Sequence, residues 1–265
     1  MREFARARDG AQLAYWRLGD GSKPAVVLMH SIGLDGSMWQ AQAEALANDY
    51  QVIVPDLRGH GHSPVSSAQF TVEELGEDVL AVVRHARIDR ACYVGCSLGS
   101  NIGMYLGAFA PEHLTGLVLA NGPPKLSIPG EIVELLCGGA VNGAMAEIAL
   151  DMLSRWVADS FRESAAFQQL VSKMAGCSGE GFSMALKALV QSDRTADLAK
   201  IVVPTLVVAG SEDGAFDAHA AAELARQIPG ARAVAILGAG HLPNLEKPTE
   251  FAQTVFKFLN SHQPV

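Results

Sequence analysis

Two hydrophobic patterns alternate along this chain. Short, mostly apolar runs occupy residues 25–29, 52–54, 91–94, 114–120 and 204–209, the composition of strands buried on both faces of a parallel sheet. Residues 12–18 alternate apolar with polar side chains, which predicts an early antiparallel strand, and residues 232–237 supply a last strand. Between these runs the apolar positions return every three or four residues. Val72, Leu75, Val79, Val82, Val83 and Ala86 fall on one face, behind Thr71 and Glu74, which are spaced to cap each other's backbone N–H groups at a helix start. Further helices are predicted over 39–47, 101–110 and 218–227, and at the C-terminus, where Phe251, Val255, Phe258 and Leu259 share a face.

Strands alternating with helices imply an α/β fold, a mostly parallel doubly wound sheet with right-handed crossovers. From 122 to 200 the strand signal stops. This stretch is rich in alanine, leucine, methionine and glutamate, is broken by Gly138-Gly139, Gly143 and Cys177-Ser178-Gly179, and reads as several helices. The expected organisation is an α/β core, residues 1–121 and 201–265, with residues 122–200 as a helical cap over the strand ends, where open α/β sheets bind ligands.

With 265 residues, 49% of them hydrophobic, the chain suits one such domain with an insertion. A formal net charge of -8 argues against nucleic acid or an anionic membrane as partner. Cys92, Cys96, Cys137 and Cys177 show no paired spacing and read as reduced thiols. The charged N-terminus and the lack of a long uncharged apolar stretch lead to the expectation of a soluble, cytoplasmic protein.

The candidate chemistry centres on Gly95-Cys96-Ser97-Leu98-Gly99, a G-x-S-x-G sequence between an apolar run and a helix-periodic segment. A serine on a sharp strand-to-helix turn needs small residues two positions away on either side, and its helix aims free N–H groups at the site. Alone the motif is weak, because glycine and serine are common in turns. Two further loops strengthen it. Asp213 lies in Gly210-Ser211-Glu212-Asp213-Gly214, just past one predicted strand, and His241 lies in Gly238-Ala239-Gly240-His241, just past the last.

Loops that follow parallel strands gather at one edge of the sheet, so Ser97, Asp213 and His241 are expected to converge as nucleophile, orienting acid and base. Glu212 and Asp217 are rivals for the acid, but Asp213 is the better placed in a short loop. The backbone N–H groups of Ile32 and Leu98 are the expected oxyanion donors. His30 reads as a histidine that bonds neighbouring loops, and Cys96 as a small buried hydrophobe. His60 and His62 form an H-x-H pair, yet Ser63-Pro64 follows where further ligands belong, so neither a metal nor a cofactor is expected. Trp39, Trp156 and Phe161 are aromatic candidates for lining a pocket, and ordinary packing accounts for each equally well.

In these motifs the chain resembles the α/β-hydrolase superfamily over nearly its whole length. More narrowly it is similar to the 3-oxoadipate enol-lactonases, through His30-Ser31-Ile32-Gly33 with Met38-Trp39 and Gln42, the run from Asp56 to Ser63, the run from Leu75 to Val79, Arg155-Trp156, and the run from Gly240 to Glu246. It departs from that pattern at Ser100, where a second glycine is usual, at Cys96, at Asn121-Gly122-Pro123-Pro124, where Asn-Thr is typical, and in lacking a proline after Asp213. The resemblance implies hydrolysis of a small-molecule lactone or ester, foremost 3-oxoadipate enol-lactone in aromatic catabolism. Carboxylester hydrolysis, carbon-carbon bond hydrolysis and a cofactor-free haloperoxidase-like activity are its alternatives, with a hydrolase-like ligand-binding protein behind them. Because such a lactone is anionic, a cation is expected beside it. Arg155 matches the family pair, with Lys125 and Arg162 behind it, and a solvated surface role explains Arg155 equally well.

Overall fold

The computed structural model describes residues 2–262. Strands β1 (Arg2–Arg6), β2 (Gln12–Leu18), β3 (Ala25–Met29), β4 (Gln51–Pro55), β5 (Ala91–Cys96), β6 (Leu114–Ala120), β7 (Thr205–Gly210) and β8 (Arg232–Ile236) form one 8-stranded sheet. Its order is β1-β2-β4-β3-β5-β6-β7-β8. β2 pairs antiparallel with β1 and β4, and every other pairing is parallel. β3, β4, β5 and β7 are buried along their full length, as strands covered on both faces must be.

β1 carries no apolar run in the sequence. Its one acid is answered across the β1–β2 ladder instead: Tyr15 Oη donates to Glu3 at 2.6 Å and Arg17 Nε at 2.8 Å. An edge strand with one fully buried residue, Ala5, leaves little hydrophobic signal to read.

The crossover helices are α1 (Gln40–Leu46), entered through a 3₁₀ turn at Gly36–Trp39, α2 (Val72–His85) and α3 (Leu98–Phe109). α2 begins with the expected capping box, in which Glu74 N–H donates to Thr71 Oγ1 at 3.2 Å and Thr71 N–H to Glu74 Oε2 at 2.8 Å. Between β6 and β7 run α4 (Gly130–Val141), α5 (Met145–Trp156), α6 (Asp159–Arg162), α7 (Ala165–Ala175) and α8 (Gly179–Gln191). α4 packs on α8 and α5 on α7. Then come α9 (Ala218–Gln227), α10 (Pro243–Glu246) and α11 (Pro248–Ser261), which buries Phe251, Val255, Phe258 and Leu259. Among the described residues no helix is long and apolar enough to cross a membrane.

The helical segment leaves and re-enters the sheet through a neck. Lys125 and Asp193 form an antiparallel bridge and an ion pair at 2.9 Å, and Arg194 N–H donates to Pro124 O at 2.8 Å. The helices then lie against loops at the C-terminal strand edge. A Cβ on Gly59 would fall 2.5 Å from Gly181 Cα, and one on Gly33 would fall 2.7 Å from Met174 Cε. Lys173 on α7 ion-pairs with Asp35 at 2.6 Å.

Strand order reverses at β3, which has β4 on one side and β5 on the other. The loops after β3 and β5 therefore diverge and leave a crevice at this switch point, where ligands bind in open α/β sheets. Ile32 follows β3, and Ser97 follows β5.

Candidate active site

Ser97 occupies a strained turn, with φ 57° and ψ -113°. Few non-glycine residues adopt such a backbone, so the surroundings must impose it. Its N–H extends the β5–β6 ladder to Ala120 O at 2.8 Å, while its carbonyl accepts from Asn101 N–H at 3.1 Å as the first bond of α3. A Cβ on Gly95 would run into the Gly99 carbonyl, and one on Gly99 would lie 2.5 Å from Met29 O and 3.0 Å from His30 O. Two glycines thus let the elbow close on itself and press against the loop after β3. α3 starts at Leu98, ahead of the predicted 101–110, because the turn leads straight into helix.

Asp213 and His241 meet. His241 Nδ1 stands 2.7 Å from Asp213 Oδ2, with both side chains buried. A carboxylate only accepts, so Nδ1 carries the proton and Nε2 is left as the basic nitrogen. Burial pushes the Asp213 carboxyl up, but hydrogen bonds from His241 and Asn121 and the Ala215 N–H outweigh it, and the group lies below the usual carboxylate range. Asp217 is occupied elsewhere, capping α9 through Ala220 N–H at 2.9 Å.

Supporting residues surround this pair. Asn121 Nδ2 donates to the same Asp213 Oδ2 at 2.7 Å, from a backbone at φ 47° that asparagine tolerates better than most residues. Glu246 Oε2 accepts from Gly240 N–H at 2.9 Å and Ala158 N–H at 2.8 Å, and its Oε1 from Leu242 N–H at 3.1 Å. That one carboxylate grips both sides of His241 and ties them to the helical segment. Neither role follows from the sequence: Asn121 has no acid function, and Glu246 bonds backbone N–H groups, one of them 88 positions away, which carry no side-chain signal.

His241 N–H donates to Trp156 O at 2.6 Å, and the Trp156 ring lies 5.0 Å from the imidazole, inclined by 44°. Trp156 is therefore brought to the site. Trp39 is fully buried against Phe251, at a centroid distance of 5.7 Å, and belongs to the packing beside α11. Arg155 stands on the exposed side of α5, ion-paired with Asp151 one turn back. Lys125 is held by Asp193, and Arg162 by Asp159 at 2.7 Å. Phe161 lines a cleft of about 280 Å³ with Leu34, Met38, Lys173 and Leu245.

Ile32 is buried in the loop after β3, and Leu98 is the first residue of α3, so its N–H has no intrahelical partner. Among the described residues nothing in the chain accepts from the Ile32 N–H. Cys96 is buried, its thiol pushed up by that burial, and its Sγ approaches His241 O at 3.7 Å. His60 and His62 diverge. His60 is buried and faces Gly33 N–H at 3.1 Å, whereas His62 is half-exposed and 3.5 Å from Asp56.

An α/β sheet with a serine elbow at its switch point and an Asp–His pair at the same edge is the framework of a hydrolase. The profile of the alpha/beta hydrolase fold matches residues 24–248, and the chain belongs to that family. Among curated proteins it is 31% identical to 3-oxoadipate enol-lactonase 1 of Acinetobacter baylyi, over 97% of this chain and 96% of that protein. The enol-lactonase from Burkholderia xenovorans LB400 superposes with a TM-score of 0.92 at 31% identity, covering 97% of this chain and 100% of that one. A thermophilic esterase from Thermogutta terrifontis, solved with malate bound, gives 0.93 at 27% identity, covering 99% and 100%.

Proposed function

We propose that this protein is a serine hydrolase that opens a small-molecule lactone or ester, with 3-oxoadipate enol-lactone, in aromatic catabolism, as its substrate. The observation that carries the proposal is the His241–Asp213 pair at 2.7 Å, on loops that follow β8 and β7 at the edge where β5 presents Ser97. Ser97 Oγ attacks the carbonyl, and His241 Nε2 takes its proton while Asp213 orients the ring and stabilises its charged form. The Ile32 and Leu98 N–H groups hold the oxyanion. The intermediate collapses and expels the enol oxygen, which takes the proton from His241. Ketonisation of the freed enol drives the opening forward. Water, activated by His241, then releases the acyl group from Ser97.

In this reading residues 122–200 form a cap that excludes water, and Trp156 walls the imidazole. The four free cysteines fit a reducing, cytoplasmic setting. Likeness to the Thermogutta terrifontis esterase supports a second reading, an esterase with the same residues.

The test is hydrolysis of 3-oxoadipate enol-lactone beside a neutral p-nitrophenyl ester, with Ser97→Ala as control. Fast turnover of the lactone alone, lowered about 10⁴- to 10⁶-fold by Ser97→Ala, supports the lactonase. Turnover of the ester alone keeps the residues and replaces the substrate. A loss below about tenfold on Ser97→Ala sinks the assignment of Ser97 as nucleophile.

A further inference from the structure

The peptide unit between Ser31 and Ile32 holds the Ser31 carbonyl and the Ile32 N–H in one plane. His30 Nδ1 lies 2.8 Å from that carbonyl, and His30 Nε2 lies 2.9 Å from Leu57 N–H. Because Nε2 accepts from a backbone N–H, the proton sits on Nδ1 and is donated to Ser31 O. The next peptide unit, Ile32 to Gly33, is held in the same manner. Gly33 N–H donates to His60 Nε2 at 3.1 Å, and His60 Nδ1 faces Arg58 O at 2.9 Å. The two rings lie 5.4 Å apart, both buried. Each imidazole thus links one peptide plane of the loop after β3 to residues 57–58 after β4.

We propose that His30 and His60 are positioning residues for the Ile32 N–H: they fix the two peptide planes that meet at Ile32 and aim its N–H at the oxygen that gains charge when Ser97 attacks. This inference rests on the reading of Ser97 as nucleophile. Fixing both planes sets φ and ψ of Ile32, so the donor is preorganised and need not reorient as charge develops. A hydrogen bond onto the Ser31 carbonyl also polarises that peptide and strengthens its N–H as a donor. Met174 on α7 closes on Gly33 as well, since a Cβ there would fall 2.7 Å from Met174 Cε.

The bridges require neutral rings with bare Nε2 atoms. Burial pushes both imidazoles below their ordinary range. For His30, Asp56 and Asp35 oppose that effect and Lys173 adds to it. His60 is pushed down to about 3 by burial and by the neighbouring His30, against Asp35.

The experiment pairs variants of like shape. His30→Asn keeps a donor near the Nδ1 position and His30→Leu removes it. His60→Gln keeps an acceptor near the Nε2 position and His60→Met removes it. With a p-nitrophenyl ester as probe, the Leu and Met variants should lose about 10²- to 10³-fold in kcat with KM within about threefold, and phenylboronic acid should bind more weakly. The Asn and Gln variants should recover at least about tenfold in kcat. Folded Leu and Met variants with kcat within about threefold of wild type would overturn the inference, as would Asn and Gln variants no better than them. Should the apolar variants not fold, imidazole ¹⁵N spectra of the wild type decide. Both rings protonated on Nδ1 alone at neutral pH support the bridges, and an Nε2–H at either ring overturns them. Wild-type protein that neither turns over esters nor reacts with a fluorophosphonate would instead sink the Ser97 reading itself.

Discussion

Ser100 occupies the space that Gly122 leaves open. A Cβ on Gly122 would lie 2.5 Å from Ser100 Cβ, 2.8 Å from Ser100 Oγ and 2.8 Å from Ser97 O. Ser100 and Gly122, two of the positions at which the chain departs from the enol-lactonase pattern, thus answer each other in size: the serine on α3 fits because residue 122 carries no side chain.

Gly122→Ala is expected to cost about 1–3 kcal/mol, because the added methyl overpacks a closed contact. In a Ser100→Gly background most of that cost should disappear, giving a coupling of about 0.5–3 kcal/mol in urea unfolding of the four proteins. Recovery is incomplete, since the Ser97 carbonyl still meets the methyl. Costs that add within about 0.5 kcal/mol would show that the two positions do not compete for space.

Asn121 has a local and a chemical task, and Asn121→Gly separates them. Glycine accepts the φ of 47° without strain, so what is lost is the side chain, with its 2.7 Å bond to Asp213 and its long 3.5 Å contact to Gly240 O. A hydrogen bond to a charged group contributes about 1.5–3 kcal/mol, so kcat for ester hydrolysis should fall about 10- to 100-fold while the folded state persists. An unchanged kcat would mean that His241 and Ala215 suffice to hold the acid.

The sequence made the sheet legible where strands are mostly apolar or alternate, and the chemistry legible where parallel topology forces loops together. Asp213 and His241 needed only their places after β7 and β8 to be paired. What stayed hidden depends on contacts between distant segments. Glu246 shows its role only once Ala158, 88 positions away, is folded onto it. β1 hides because its Glu3 pairs with Arg17 across the ladder, and His60 reads as half of an H-x-H pair until its ring is seen against Gly33. From the sequence Arg155 reads equally well as a cation for a bound carboxylate and as a solvated surface residue. No spacing rule reveals that its helix turns it outward.

Acid should weaken the fold partly through Asp213. An unfolded aspartate titrates near about 3.9, and in the folded chain the group lies lower, because bonds from His241 and Asn121 outweigh burial. The carboxylate therefore contributes stability that is present above the unfolded value and is lost as pH falls through the folded one. Between about pH 5 and pH 2 the wild type should lose more stability in urea unfolding than Asp213→Asn, which cannot titrate there. Parallel losses would place the acid sensitivity elsewhere.

Arg155 offers a sharp test of how an anionic lactone would be recognised. Its guanidinium is paired with Asp151, and its side chain is 71% exposed, so its charge is screened by water and already answered on its own helix. Arg155→Ala should therefore leave KM for 3-oxoadipate enol-lactone within about twofold of wild type, a difference of less than 0.5 kcal/mol by the relation between ratios and free energy. A rise of tenfold or more, about 1.4 kcal/mol, would show that the cation turns inward to meet the substrate's carboxylate. Measuring the neutral ester in parallel separates charge recognition from disturbance of α5, because only a loss confined to the anion reports on the charge.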